Sequence, residues 1–176
     1  MDRIRDRLPH RIVTDRLVLT TPTLAHVPDI ARLANNRRLN AMMARLPFPY
    51  GEEDARFFVQ TIAPGPSEHC FAVLLAGETF MGVIGLHFLD DLPPELGYWL
   101  GEPYWGKGYA TEAARAVVAA ARTAGYPALR SRALQVNAAS RNVLRKAGFS
   151  EIGEGIEENN NLAGQPMVLM RLEFMQ

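Results

Sequence analysis

Cysteine is almost missing from this chain: Cys70 is the single example among 176 residues. One thiol closes no intrachain disulfide, so a reducing compartment is expected. Cys70 precedes an apolar, strand-like run and reads as core packing rather than as a nucleophile. Excess charge is missing too, with 19 Lys and Arg against 19 Asp and Glu. That balance argues against nucleic-acid or membrane-surface partners, which select for a basic surplus. Long apolar runs are also lacking. The stretch from Ala116 to Ala121 is far shorter than the ~20 residues a spanning helix needs. Met1-Asp2-Arg3-Ile4-Arg5-Asp6-Arg7 is charged and leads into no apolar segment, so it is not a secretion signal, and a cytoplasmic location is expected. What is present is 48% hydrophobic and 22% charged residues, the make-up of a globular protein. The length suits one domain over residues 1–176.

Local patterns give an order of elements. A strand is expected over Arg16 to Thr20, and helical spacing runs from Leu24 to Leu46. A second helix is expected from Glu52 to Thr61, with acidic residues in its first turn and Pro64-Gly65-Pro66 behind it. Strands follow at Phe71 to Leu75, Phe80 to Leu89 and Leu96 to Leu100, the first two joined by a turn at Gly77-Glu78. An alanine-rich helix from Ala110 to Ala124 ends at Gly125, a helix C-terminal signal. A strand from Leu129 to Val136, a helix from Ala138 to Ala147 and strands at Phe149 to Gly153 and Met167 to Phe174 complete the chain. This order implies a mixed sheet with helices packed on it.

The segment Trp105-Gly106-Lys107-Gly108-Tyr109-Ala110-Thr111 lies between a strand and a helix. A helix N-terminus carries unpaired N–H groups and partial positive charge, and glycines let an anion approach it. Spacing alone also fits a plain glycine turn. A Walker A reading begins well at Gly101 and Gly106-Lys107 but meets Gly108 where Ser or Thr must hold magnesium. A dinucleotide reading meets Thr111 at its third glycine. A coenzyme A pyrophosphate loop is the third reading.

On these residues the chain resembles the GNAT superfamily of N-acetyltransferases, in its RimJ/RimL-type branch. The family's Gln/Arg-x-x-Gly-x-Gly/Ala loop falls on Trp105 to Ala110, with Trp105 at the Gln/Arg position. Thr14-Asp15-Arg16-Leu17-Val18-Leu19, Pro49-Tyr50-Gly51-Glu52-Glu53-Asp54-Ala55, Pro94-Glu95-Leu96-Gly97-Tyr98-Trp99-Leu100, Asn137-Ala138-Ala139-Ser140 and Lys146-Ala147-Gly148-Phe149 resemble further segments of that branch, in order. The resemblance implies an α/β (α+β) fold: a mixed, mostly antiparallel splayed sheet with helices on both faces. It implies acetyl-CoA as cosubstrate, no metal, and direct transfer to an amine acceptor, a peptide N-terminus or a small molecule. Homodimers occur in the family, and nothing in this sequence fixes the oligomer.

The resemblance also assigns residues. Trp105, Gly106, Lys107, Gly108, Tyr109, Ala110 and Thr111 would bind the cofactor's pyrophosphate. A backbone N–H near Trp99 and Leu100 would meet the oxyanion. Asn137 would contact the pantetheine arm, and Arg145 and Lys146 the phosphates. Glu95 is the first candidate base, on the face of Gly97 and Trp99 by alternation, and otherwise a strand-end carboxylate. His87 is the second, or a packed histidine. Leu144 stands where the wider family places a tyrosine acid, which leaves Ser140 as the hydroxyl candidate, or a helix-start residue beside Asn137. Glu151, Glu154, Glu157 and Glu158 form an acidic run that would attract a cationic amine if it bordered the cleft. A non-catalytic acyl-CoA sensor or interaction module is the alternative reading. A phosphotransferase has only the incomplete Walker pattern.

Overall fold

A computed structural model describes residues 3–76 and 78–175. Eight strands form one sheet in the order β1-β2-β3-β4-β5-β6-β8-β7. They are β1 Arg11–Val13, β2 Leu17–Thr20, β3 Glu68–Leu75, β4 Thr79–His87, β5 Glu95–Leu100, β6 Ala128–Leu134, β7 Ser150–Ile156 and β8 Pro166–Glu173. The helices are α1 Val27–Ala34, α2 Arg37–Asn40, α3 Glu52–Phe57, α4 Tyr109–Ala124 and α5 Ala138–Lys146. Every neighbouring strand pair is antiparallel except β5 with β6. The expected mixed, mostly antiparallel sheet is therefore what the chain forms.

Alternation along the strands feeds two cores. On one face Leu96, Leu100, Leu86 and Leu129 pack under Ala113, Ala114, Val117 and Ala121 of α4 and Leu144 of α5. On the other, Ala72, Leu74, Val83 and Trp99 pack under Ile30 and Leu33 of α1 and Ala55 of α3. Small alanines on α4 let that helix lie close to the sheet, and Gly125 ends it in a left-handed conformation that favours glycine.

Several expectations are corrected. The helical spacing from Leu24 to Leu46 is broken at Asn35–Asn36. Asn36 caps α2 by accepting from the Leu39 amide, and Asn35 Oδ1 accepts from the Tyr50 amide. Residues 41–50 form a loop. The second helix changes to a π-helical turn over Phe58–Ile62. Strand β1, three residues with an exposed-intermediate-exposed pattern, has no counterpart in the periodicity. The expected Gly77-Glu78 turn involves Gly77, which lies outside the described residues.

Candidate active site

The site begins where two strands part. β5 and β6 pair through Glu95 and Arg130, and the Arg130 amide donates to the Pro94 carbonyl at 2.9 Å. The Ser131 hydroxyl donates to the Leu96 carbonyl at 2.8 Å. Beyond that point no further pairing joins β5 and β6 among the described residues. The Gly101 amide donates to the Met81 carbonyl of β4. Successive residues of a strand address opposite edges, so the Trp99 amide also faces β4, while those of Tyr98 and Leu100 face the splay. The Leu100 carbonyl on that edge accepts from Trp105 Nε1 at 2.7 Å. Trp105, at the family's Gln/Arg position, thus ties the end of β5 to the glycine loop. The Trp99 side chain is buried edge-on to Phe80 in the core under α1 and α3.

The loop then turns into α4. Gly106 and Gly108 have φ of +73° and +82°, and Gly108 is the N-cap of α4. The first helical bond runs from the Glu112 amide to the Gly108 carbonyl, so the amides of Tyr109, Ala110 and Thr111 precede the ladder. Arg16, 91 residues back, fixes this turn. Its guanidinium donates to the Lys107 carbonyl at 3.1 Å and to Glu112 Oε1 at 2.8 Å, and lies 4.5 Å from the centre of the Tyr109 ring. Thr14 donates to the other Glu112 oxygen at 2.6 Å. Burial works to raise the Glu112 carboxyl, but the bonds from Thr14 and Arg16 outweigh it and hold it below its ordinary value. The acid in the first turn is thus neutralised locally and does not oppose an anion.

Beside the loop lies an open cleft of about 680 Å³. Gly108 and Thr111, expected as cofactor residues, line it with Arg115 and Lys146. Lys107 is exposed, as are Gly106 and Lys146. Open glycine backbone, leading helix amides and three cationic side chains fit a pyrophosphate with further phosphate. Arg145 is engaged elsewhere, at 2.5 Å from Glu151. Asn137 caps α5 by accepting from the Ser140 amide at 3.1 Å.

On the α1–α3 face, register lines up a polar row across three strands. Glu68 of β3 stands opposite His87 of β4, which stands opposite Glu95 of β5. His87 Nδ1 lies 2.6 Å from Glu68 Oε1. Glu95 is held between Arg130 at 3.1 Å and Arg132 at 3.3 Å. Arg132 continues to the buried Glu157 at 2.8 Å, in the loop between β7 and β8. That loop reaches residues 41–50 through the Asn161 amide, which donates to the Ala44 carbonyl. One step along the strands from the polar row, Gly85 and Gly97 face each other, and a Cβ on Gly97 would meet nothing within 4 Å. The row therefore borders a trough that is open at Gly97, whereas a Cβ on Gly85 would meet the His69 carbonyl of β3 at 2.7 Å.

The remaining expectations scatter. Glu151 pairs with Arg141 and Arg145 of α5, Glu157 is buried against Arg132, and Glu154 and Glu158 are exposed, so the four do not form one acidic face. Burial, then the neighbouring Glu68, pushes the Cys70 thiol up to about 12, which suits the packing role read from sequence. Glu68, Arg130 and Arg16 were missed. Each acts through a partner distant in sequence, and no local pattern marks them.

Residues 16–150 match the family model described as an acetyltransferase (GNAT) domain, and the chain belongs to this acetyltransferase family. Among solved structures, the fold is similar to the microcin C7 self-immunity acetyltransferase MccE in complex with acetyl-CoA and AMP. The TM-score is 0.83 at 20% identity, covering 96% of this chain and 98% of that one. It is similar to RimL, a ribosomal L7/L12 alpha-N-protein acetyltransferase in complex with coenzyme A, with TM-score 0.81, 20% identity and coverage of 93% and 97%. It is also similar to a spermidine N-acetyltransferase from Vibrio cholerae in complex with CoA and spermine, with TM-score 0.75, 19% identity and coverage of 91% and 96%. No curated protein sequence matches the chain. Among the described residues no helix is long and apolar enough to cross a membrane, and no cluster of His, Cys, Asp and Glu is arranged to hold a metal.

Proposed function

We propose that this chain transfers the acetyl group of acetyl-CoA to a primary amine by direct attack in a ternary complex. The observation that carries the reading is the parting of β5 and β6 beside the glycine-capped start of α4. The loop amides, Lys107, Arg115 and Lys146 hold the phosphates. The edge of β5 lines the pantetheine slot, and the Leu100 amide, rather than that of Trp99, donates to the oxyanion. The acetyl donor supplies an activated thioester. The chain's residues orient it and move protons.

The acceptor enters over the Gly97 trough. His87 is the better candidate base: with Glu68 on Nδ1, its Nε2 is the nitrogen left to take a proton. Glu95, the first candidate from sequence, shares its carboxylate between two guanidinium groups. The Leu100 amide lies five residues beyond Glu95, the residue that faces His87, ~17 Å along a strand, so the proton travels through water. RimL acts on a protein alpha-amine and the Vibrio cholerae enzyme on a polyamine. Both acceptor classes remain within the reading.

Thermal shift tests donor recognition. At a hundredfold excess over Kd, acetyl-CoA stabilises by about 2.7 kcal/mol, which for this length raises Tm by about 5–10 °C. Magnesium-ATP at the same concentration is expected to leave Tm unchanged. The opposite pattern contradicts the reading.

A further inference from the structure

The wider family's tyrosine acid has no counterpart on α5, where Leu144 is buried in the core. A phenol nevertheless reaches α5 from the opposite side of the splay. Tyr98 of β5 donates from its hydroxyl to Ser140 Oγ at 3.3 Å. Ser140 stands in the first turn of α5, its amide already donated to Asn137 Oδ1. The two hydroxyls join the β5 wall of the slot to the α5 wall, and the direction of the bond leaves the Ser140 proton free to point elsewhere. The resemblance already implies Ser140 as the hydroxyl that protonates the departing thiolate; the geometry points to Tyr98 as the residue that positions Ser140 and replaces its proton, the two forming a hydroxyl relay.

This inference rests on the acetyl-transfer reading above. The C–N bond forms as the amine attacks the acetyl carbonyl, and the amine proton leaves to solvent through the base. The C–S bond then breaks. Sulfur takes the Ser140 proton, the Ser140 oxygen takes the Tyr98 proton, and the phenolate recovers one proton from solvent, balancing the one released. Burial raises the Tyr98 phenol and the bond to Ser140 lowers it, with burial the larger effect, so Tyr98 holds its proton until the serine calls on it. Tyr98 is a positioning residue, because it reaches the sulfur only through Ser140.

The test uses Tyr98→Phe, Ser140→Ala and the double variant of the full chain. Tyr98→Phe is expected to lower kcat by ~100-fold, with KM for acetyl-CoA held. Groups that act as one unit are non-additive, so the double variant falls no further than Ser140→Ala. Multiplying losses overturn the relay. Calorimetry supplies a readout independent of turnover. At about pH 9, where part of a thiol is ionised, coenzyme A is expected to bind about tenfold more weakly to Ser140→Ala, the loss of one charge-assisted bond, and about threefold more weakly to Tyr98→Phe, in which that bond remains but Ser140 is no longer held by the phenol. Desulfo-coenzyme A, which lacks the sulfur, is expected to bind the wild type and both variants alike. Equal losses for both ligands indicate a packing role and overturn the relay. A wild-type protein that binds acetyl-CoA but acetylates no amine removes the acetyl-transfer reading itself, a result distinct from either.

Discussion

A histidine works as a base when one ring nitrogen is fixed by an acceptor and the other is left to take a proton. Glu68 provides that acceptor for His87. His87→Gln is expected to lower kcat by ~100-fold, with little change in KM for acetyl-CoA. Glu68→Gln is expected to give a smaller loss of the same kind. Glu95→Gln should behave differently, because it weakens the clamp on Arg130 and Arg132. It is expected to lower Tm more than it lowers kcat. Steady-state kinetics beside thermal melts separates the roles, and a large kcat loss at unchanged Tm for Glu95→Gln would return the base to Glu95. Gly97 offers a second test. Its Cβ direction is empty and its φ is ordinary, so Gly97→Val folds while filling the trough. KM for the amine should rise and KM for acetyl-CoA should not. His87 and Glu95 were legible from sequence as candidates. Glu68 was not, because only the register of β3 on β4 places it opposite His87.

The glycine loop and α4 are a unit built from local and distant parts. Gly108→Ala puts a Cβ at φ +82°, at a cost of roughly 1–2 kcal/mol, and the Cβ would stand 3.3 Å from Arg16 Nη2. Acetyl-CoA affinity is expected to fall more than Tm does, as calorimetry and melting would show. Arg16→Met removes the guanidinium bonds to the Lys107 carbonyl and Glu112 Oε1, leaving the Glu112 carboxylate held by Thr14 and the residue-16 amide but without its cation, beside the proposed phosphate site. Weaker acetyl-CoA binding is expected, and an unchanged Kd would mean that Arg16 does not hold the loop. The loop, α4 and α5 were readable from sequence because glycine, caps and alanine spacing are local signals. The break at Asn35–Asn36 was not, since both asparagines also suit a helix surface and the Tyr50 amide that holds Asn35 comes from a later loop.

At the scale of the whole molecule, the sheet carries α4 and its glycine loop on one face and the row of Glu68, His87 and Glu95 on the other, with the parting of β5 and β6 between them. The family's fold was legible because its motifs recur in order along the chain. The polar row was not, because it is assembled by pairing between strands. Stability should depend on pH through a group outside the site. Burial lowers the His69 pKa, against a bond to the Pro9 carbonyl, with His10 and Arg5 adding to the lowering. A depressed histidine binds fewer protons folded than unfolded, so its contribution is complete above the unfolded value near 6.5. It declines as pH falls from there toward the folded value. Tm is expected to fall between about pH 7 and 5, and His69→Gln should flatten part of that slope. His26, also lowered by burial, retains its own share.

In the proposed reaction the splay and glycine loop deliver an acetyl group directly to an amine. Mass spectrometry of a reaction with acetyl-CoA and a panel of peptides, polyamines and amino acids tests it most directly. The expected result is an acetylated amine formed in step with released coenzyme A, with no acetyl group on the protein. An acetyl-protein that forms and decays during turnover, or acetyl-CoA bound with no amine acetylated, would contradict it.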